Sequence, residues 1–201
     1  MADYFALLNE PRRPLLDADL LKQKFLALAS DAHPDRAHNA SESEKAEVTQ
    51  RYAQLNAAYN CLAEPKLRLL HLLELELGAK PKDIQTIPAA LADLFAEVAT
   101  TCRNTDIFLT EKSKVTSPLL QVQLFERGQD WVEKLNVLQR KLNELREKLM
   151  VELKSLDALW TSADAVSHRE ILPKLEELYR LFGYFNRWNS QIQERVVQLS
   201  F

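Results

Sequence analysis

Leucines 135, 138, 142, 145, 149, 156 and 159 hold one seven-residue register with 3–4 spacing. Only a long α-helix brings side chains so spaced onto one stripe, because a strand repeats every second residue. Ser117-Pro118 supplies a good N-cap and first helical position for it. Unbroken to Trp160 it would extend roughly 65 Å, although Gly128 is a place for it to bend. A second stripe follows at Leu175, Leu178, Phe182, Phe185, Ile192, Val196 and Leu199, behind a capping-box pattern at Ser167-x-x-Glu170. Thr161 to Val166 reads as the turn between them. Two stripes joined by so short a turn pack antiparallel within one chain, and a dimerising coiled coil is the alternative.

Helix is favoured nearly everywhere else. The chain has 3 glycines in 201 residues, too few for a glycine-rich phosphate loop. The remaining helices read as Asp3 to Asn9, Asp17 to Ala32, Ser41 to Leu62 (opened by the capping box Ser41-x-x-Glu44) and Pro65 to Gly78. A fifth starts at Thr86-Ile87-Pro88 with Leu91, Leu94, Phe95 and Val98 on one face, and a polar loop from Asn104 to Ser117 follows it. Residues 79–87 read as a linker. The expectation is an all-α protein with a helical domain over 1–78 and a three-helix bundle over 88–201.

Net charge −3 argues against a nucleic-acid surface. Cys61 and Cys102 stand too far apart for a zinc motif or a small disulfide scaffold, and read as small apolar residues. No apolar run approaches the length of a membrane span. The start, Met1-Ala2-Asp3-Tyr4, carries no leader pattern, so a cytoplasmic setting is expected. No cofactor is implied. His33, Asp35 and His38 lie close enough to suggest an acid–base pair or a partial metal site, but a metal needs three or four convergent ligands. No nucleophile elbow or paired-carboxylate signature supports an enzyme.

His33-Pro34-Asp35 stands between two amphipathic helices, one marked by Leu21, Phe25, Leu28 and Ala32, the other by Val48, Tyr52, Leu55, Tyr59 and Leu62. Proline moves His33 off helical angles and ends the first helix, placing the tripeptide at the tip of a hairpin. With Tyr4-Phe5 upstream and Ala53-Gln54-Leu55-Asn56-Ala57-Ala58-Tyr59 downstream, residues 3–76 resemble the J-domain, by which co-chaperones activate DnaK-type ATPases. The resemblance implies that His33, Pro34 and Asp35 contact the chaperone. Lys22, Lys24 and Arg36 would assist, with Arg12 and Arg13 as further cations. Asp17, Asp19 and Asp31 make the second helix more acidic than the family's, which implies either weak, salt-sensitive docking or, the favoured reading, a specialised chaperone.

The segment Pro65-Lys66-Leu67-Arg68 into Leu72-Leu73-Glu74-Leu75, the stretch Leu149 to Leu153 and the C-terminal helix together resemble the HscB family of iron–sulfur co-chaperones. That resemblance implies an HscA- or DnaK-type chaperone and an IscU-type scaffold as partners, with no nucleic acid, no membrane and a monomeric chain. Leu91, Asp93, Leu94, Phe95 and Glu97 would hold the scaffold. Leu119-Leu120 is a rival placement, and plain bundle core is the other reading of Leu91, Leu94 and Phe95. Two alternatives remain: an adaptor for a different client, and a coiled-coil protein whose His-Pro-Asp is incidental.

Overall fold

The computed structural model describes residues 2–37, 41–81, 87–162 and 165–200, apart from the side chains of residues 36, 37 and 165–167. Among them are seven α-helices: α1 Tyr4–Leu7, α2 Ala18–Asp31, α3 Glu42–Ala63, α4 Pro65–Leu77, α5 Ala92–Lys112, α6 Pro118–Ser162 and α7 Ala165–Leu199. Short 3-10 turns cover Pro34–Ala37 and Ala89–Leu91. The fold is all-α, as the composition and the stripes require.

Local chemistry explains most boundaries. Asp17 caps α2 by accepting from the Asp19 and Leu20 amides, and Ser41 with Glu44 forms a complete capping box on α3. Gly78 closes α4 in the left-handed region at φ 69°, where a side chain would be strained.

Two boundaries differ from expectation for one shared reason. α5 does not stop near Asn104 but runs to Lys112, leaving only residues 113–117 before α6. Thr105 is fully buried and returns its hydroxyl to the Thr101 carbonyl at 2.9 Å, and Thr110 does the same to Asp106 at 2.8 Å. Likewise α6 continues through Thr161 and Ser162, whose hydroxyls donate to the Asp157 and Ala158 carbonyls. A threonine or serine that bonds the carbonyl one turn back stays in a helix despite its turn-forming reputation. Because α7 begins at Ala165, Ser167 lies inside it rather than capping it.

The chain divides into two compact units. Unit one comprises residues 1–82 with 150–181, and unit two residues 83–149 with 182–201. The division therefore takes the α6 and α7 ends nearest their connection into unit one, where the sequence reading keeps all of 88–201 as one bundle. Of the 79–87 linker, residues 82–86 lie outside the described residues.

In unit one, α3 touches α1, α2, α4 and the Pro34–Ala37 turn. Its Leu55, Ala58 and Leu62 are fully buried, and Tyr59 stacks on Phe25 of α2 at 4.4 Å. Residues 1–82 are also tied to the α6 end. Asp157, 3% exposed, accepts from Arg13 Nε and the Leu15 amide, both at 3.0 Å, and pairs with Arg13 Nη2. The Trp160 indole donates to the Arg12 carbonyl at 2.9 Å.

Unit two is a three-helix bundle. Val98, Cys102 and Phe108 of α5, Leu135, Leu138 and Leu142 of α6, and Phe185, Trp188 and Ile192 of α7 share one core. Leu135, Leu138, Leu142 and Leu145 of the leucine stripe thus pack inside their own chain, whereas Leu159 is 52% exposed.

Candidate functional site

At the end of α2, His33 and Asp35 keep their side chains open to solvent while the backbone between them is held. Pro34 opens the 3-10 turn, and the Asp35 amide donates to His33 Nδ1 at 3.3 Å. The His33 ring stands edge-on to Tyr52 of α3 at 5.4 Å. His33 Nδ1 also lies 3.5 Å from Asp35 Oδ2, a contact that is an ion pair only while the imidazole is protonated. In the neutral ring Nδ1 accepts the amide proton, leaving Nε2–H to point elsewhere. The Asp35 side chain is 91% exposed and that of His33 45%. Both are free to meet a partner, and neither needs much ordering to do so.

The surrounding cations are less free than a sequence suggests. Lys22 is exposed and has no partner among the described residues. Lys24 Nζ donates to the Asn9 carbonyl at 3.0 Å and pairs with Glu10 at 2.8 Å. Arg12 pairs with Asp3 at 2.7 Å, and Arg13 is held by Asp157. These two arginines join segments of unit one instead of compensating for the acidic α2. His38 and the Arg36 side chain lie outside the described residues.

The second candidate surface lies on α5 in unit two. Asp93, Phe95 and Glu97 are exposed, while Leu91 and Leu94 are half-buried against the bundle core. Phe95 retains 41% of its surface and tilts over Trp188 of α7 at 6.1 Å. Glu97 does not stand alone at a rim, since Lys141 of α6 donates to both its oxygens at 2.6 and 2.8 Å. Leu119 and Leu120, the rival pair, are 72% and 47% exposed.

Among the described residues no group of three or more His, Cys, Asp or Glu is placed to hold a metal ion. Both cysteines are free thiols. Burial pushes Cys61 up to about 11 and raises Cys102 as well, away from the reactive thiolate. Among the described residues no helix is long and apolar enough to cross a membrane.

No protein-family model matches the sequence. Solved structures do match. Human co-chaperone HscB superposes with a TM-score of 0.63 at 17% identity, over 96% of this chain and 81% of its own. The chain has the fold of HscB. HscB from Vibrio cholerae agrees, with a TM-score of 0.54 at 22% identity over 95% of this chain and 99% of its own. In this HscB fold the His33-Pro34-Asp35 turn comes from unit one and the Leu91–Glu97 surface from unit two.

Proposed function

We propose that this chain is a co-chaperone that binds an IscU-type iron–sulfur scaffold and stimulates ATP hydrolysis by an HscA- or DnaK-type chaperone. The observation that carries the reading is the His33-Pro34-Asp35 turn, pinned by the amide bond to His33 Nδ1 and by Tyr52 while its two polar side chains face solvent. A turn ordered before it meets its partner spends little of the contact energy on its own ordering. The chain itself performs no chemistry in this scheme. His33 and Asp35 engage the chaperone, Lys22 adds charge on the open face of α2, and hydrolysis occurs in the chaperone. Lys24 and Arg36 complete the expected contact set. Scaffold held at Phe95, with Leu91 and Leu94 beside it and Asp93 and Glu97 reached around the helix, would be delivered at high effective concentration.

Single-turnover ATP hydrolysis by an HscA-type chaperone tests this directly. Wild-type chain is expected to accelerate turnover at least ten-fold and His33→Gln to give no acceleration. Equal rates with both proteins, at low and at moderate salt, would sink the chaperone reading. The Glu97–Lys141 pair favours one variant, in which the same turn serves a client other than the scaffold, because it withdraws half of the expected acidic rim. Failure of the immobilised chain to retain IscU-type scaffold would select that variant.

A further inference from the structure

A groove of about 520 Å³ runs between α5 and α7 in unit two, and its charge is the opposite of the acidic rim expected there. Phe95 and Ala99 line one side, Tyr184 and Trp188 the other, with Tyr184 stacked on Trp188 at 5.7 Å. Three guanidiniums line it as well: Arg103 from α5, and Arg187 and Arg195 from α7. One carboxylate, Asp106, shares the groove, and Arg195 Nη2 already holds it at 2.7 Å. Arg195 also donates to the Cys102 and Gln191 carbonyls, so it is a fixed wall element with its donors in use.

Arg103 and Arg187 are different. Both are exposed, and neither has a hydrogen-bond or ion-pair partner among the described residues. They stand on opposite walls, in a chain whose overall charge is −3. Asp106 of α5, one turn from Arg103, is already taken by Arg195, and Asp93 and Glu97 do not line the groove. Asp93 and Glu97 each lie two residues from Phe95, roughly 200° around a helix of 3.6 residues per turn. Glu97 is accordingly found paired with Lys141 of α6, away from the groove.

We propose that this groove binds an acidic polypeptide segment, seating one apolar side chain against Phe95 while carboxylates on either side meet Arg103 and Arg187. Exposed aromatic surface supplies the anchor, and the two unpartnered guanidiniums supply directional, charge-assisted contacts to carboxylates. Lysine-rich segments are rejected by the same charges. The inference deepens the scaffold-docking reading by giving the chemistry of what docks at Phe95.

The test uses the full chain and two fluorescein-labelled peptides, Gly-Asp-Glu-Leu-Phe-Glu-Asp and its counterpart with lysine at each acidic position. The acidic peptide is expected to bind at least ten-fold tighter by fluorescence anisotropy and to shift the Trp188 indole resonance. Raising salt from 50 to 300 mM should weaken it several-fold. The double variant Arg103→Glu/Arg187→Glu should reverse the preference, and Arg187→Gln alone should cost about three-fold. Both positions are exposed, so helical content is expected to be unchanged. Equal binding of the two peptides, no binding of the acidic one, or an unaltered preference in the double variant would overturn the proposal. Retention of IscU-type scaffold by the immobilised chain is measured alongside. Retention without acidic preference sinks this inference alone, and acidic preference without retention sinks only the scaffold reading.

Discussion

Unit one buries Arg68, His71 and Asp157, whereas the one polar side chain buried in unit two among the described residues is Thr105. The contrast is one of purpose. Thr105 satisfies itself on its own helix, but each polar group of unit one reaches a different segment. Arg68 donates to the carbonyls of Pro14 at 2.7 Å and Leu62 at 2.5 Å. Burial pulls its guanidinium down to about 10, so it keeps its charge at neutral pH. His71 accepts the Tyr4 amide, and Asp157 accepts from Arg13 and Leu15. Short helices and loops offer too little apolar stripe to fix their own register, so directional bonds do it. Long helices need no such help, because their stripes interdigitate over many turns.

Unit two should therefore break through its apolar core. Leu138, 1% exposed, sits among leucines and aromatics of all three helices. Truncation in Leu138→Ala is expected to cost about 3 kcal/mol, from lost burial plus the cavity left behind. Hydrogen exchange is the measurement, since it reports each unit separately. Amides of α5 should lose protection first, and those of α3 should not. A uniform loss across α3 and α5 would mean the units do not differ in this way.

Unit one should break through a carboxylate. Asp157→Ala removes the acceptor of Arg13 and of the Leu15 amide together. Breaking a fully buried pair costs about 3–5 kcal/mol. Arg13 keeps 36% of its side chain exposed, so water recovers part of that and about 2 kcal/mol is expected. Exchange should accelerate at the Leu15 amide and in residues 150–160 while unit two is unmoved. A loss below about 0.5 kcal/mol would show that the Trp160 indole bond and apolar packing hold this junction unaided.

The same contrast decided what could be read from the sequence. Period is a property of one segment, so the stripes of α6 and α7 were legible, as were the α2–α3 hairpin and its tripeptide. The Arg13–Asp157 pair joins residues 144 apart, and nothing local to either announces the other. Arg12 and Arg13 therefore looked like spare surface charge. The end of α5 was hidden by Thr105, Asp106 and Thr110, which resemble a loop when counted by composition. A usable signal was present, since Val98, Cys102, Thr105 and Phe108 continue the helical spacing through that stretch. At the α5 surface the residue types were legible but not their directions. Phe95 and Glu97 lie in one short segment and serve opposite faces of the helix.

The smallest expected effect concerns acid. All 4 histidines fall in residues 1–82 or 150–181, so unit two has none. His71, 4% exposed, stacks against Tyr4 at 4.6 Å and accepts the Tyr4 amide on Nε2 at 3.0 Å. Burial pulls its pKa below the ordinary 6.5, with Arg12 adding to this and Asp3 and Glu74 opposing it. The unfolded chain therefore binds a proton near 6.5 that the folded chain still refuses. Stability from this group is complete above about pH 6.5 and is lost as pH falls through the folded value, levelling off below it. A proton on Nε2 would also remove the acceptor that anchors α1. Between pH 7.5 and 5.5, amides of α1 should lose protection against exchange, relative to those of α5, after correction for the intrinsic rate. His71→Gln should lower the stability of unit one at pH 7.5 and flatten this slope. Equal acid loosening of α1 and α5, or an unchanged slope in His71→Gln, would place the acid sensitivity elsewhere.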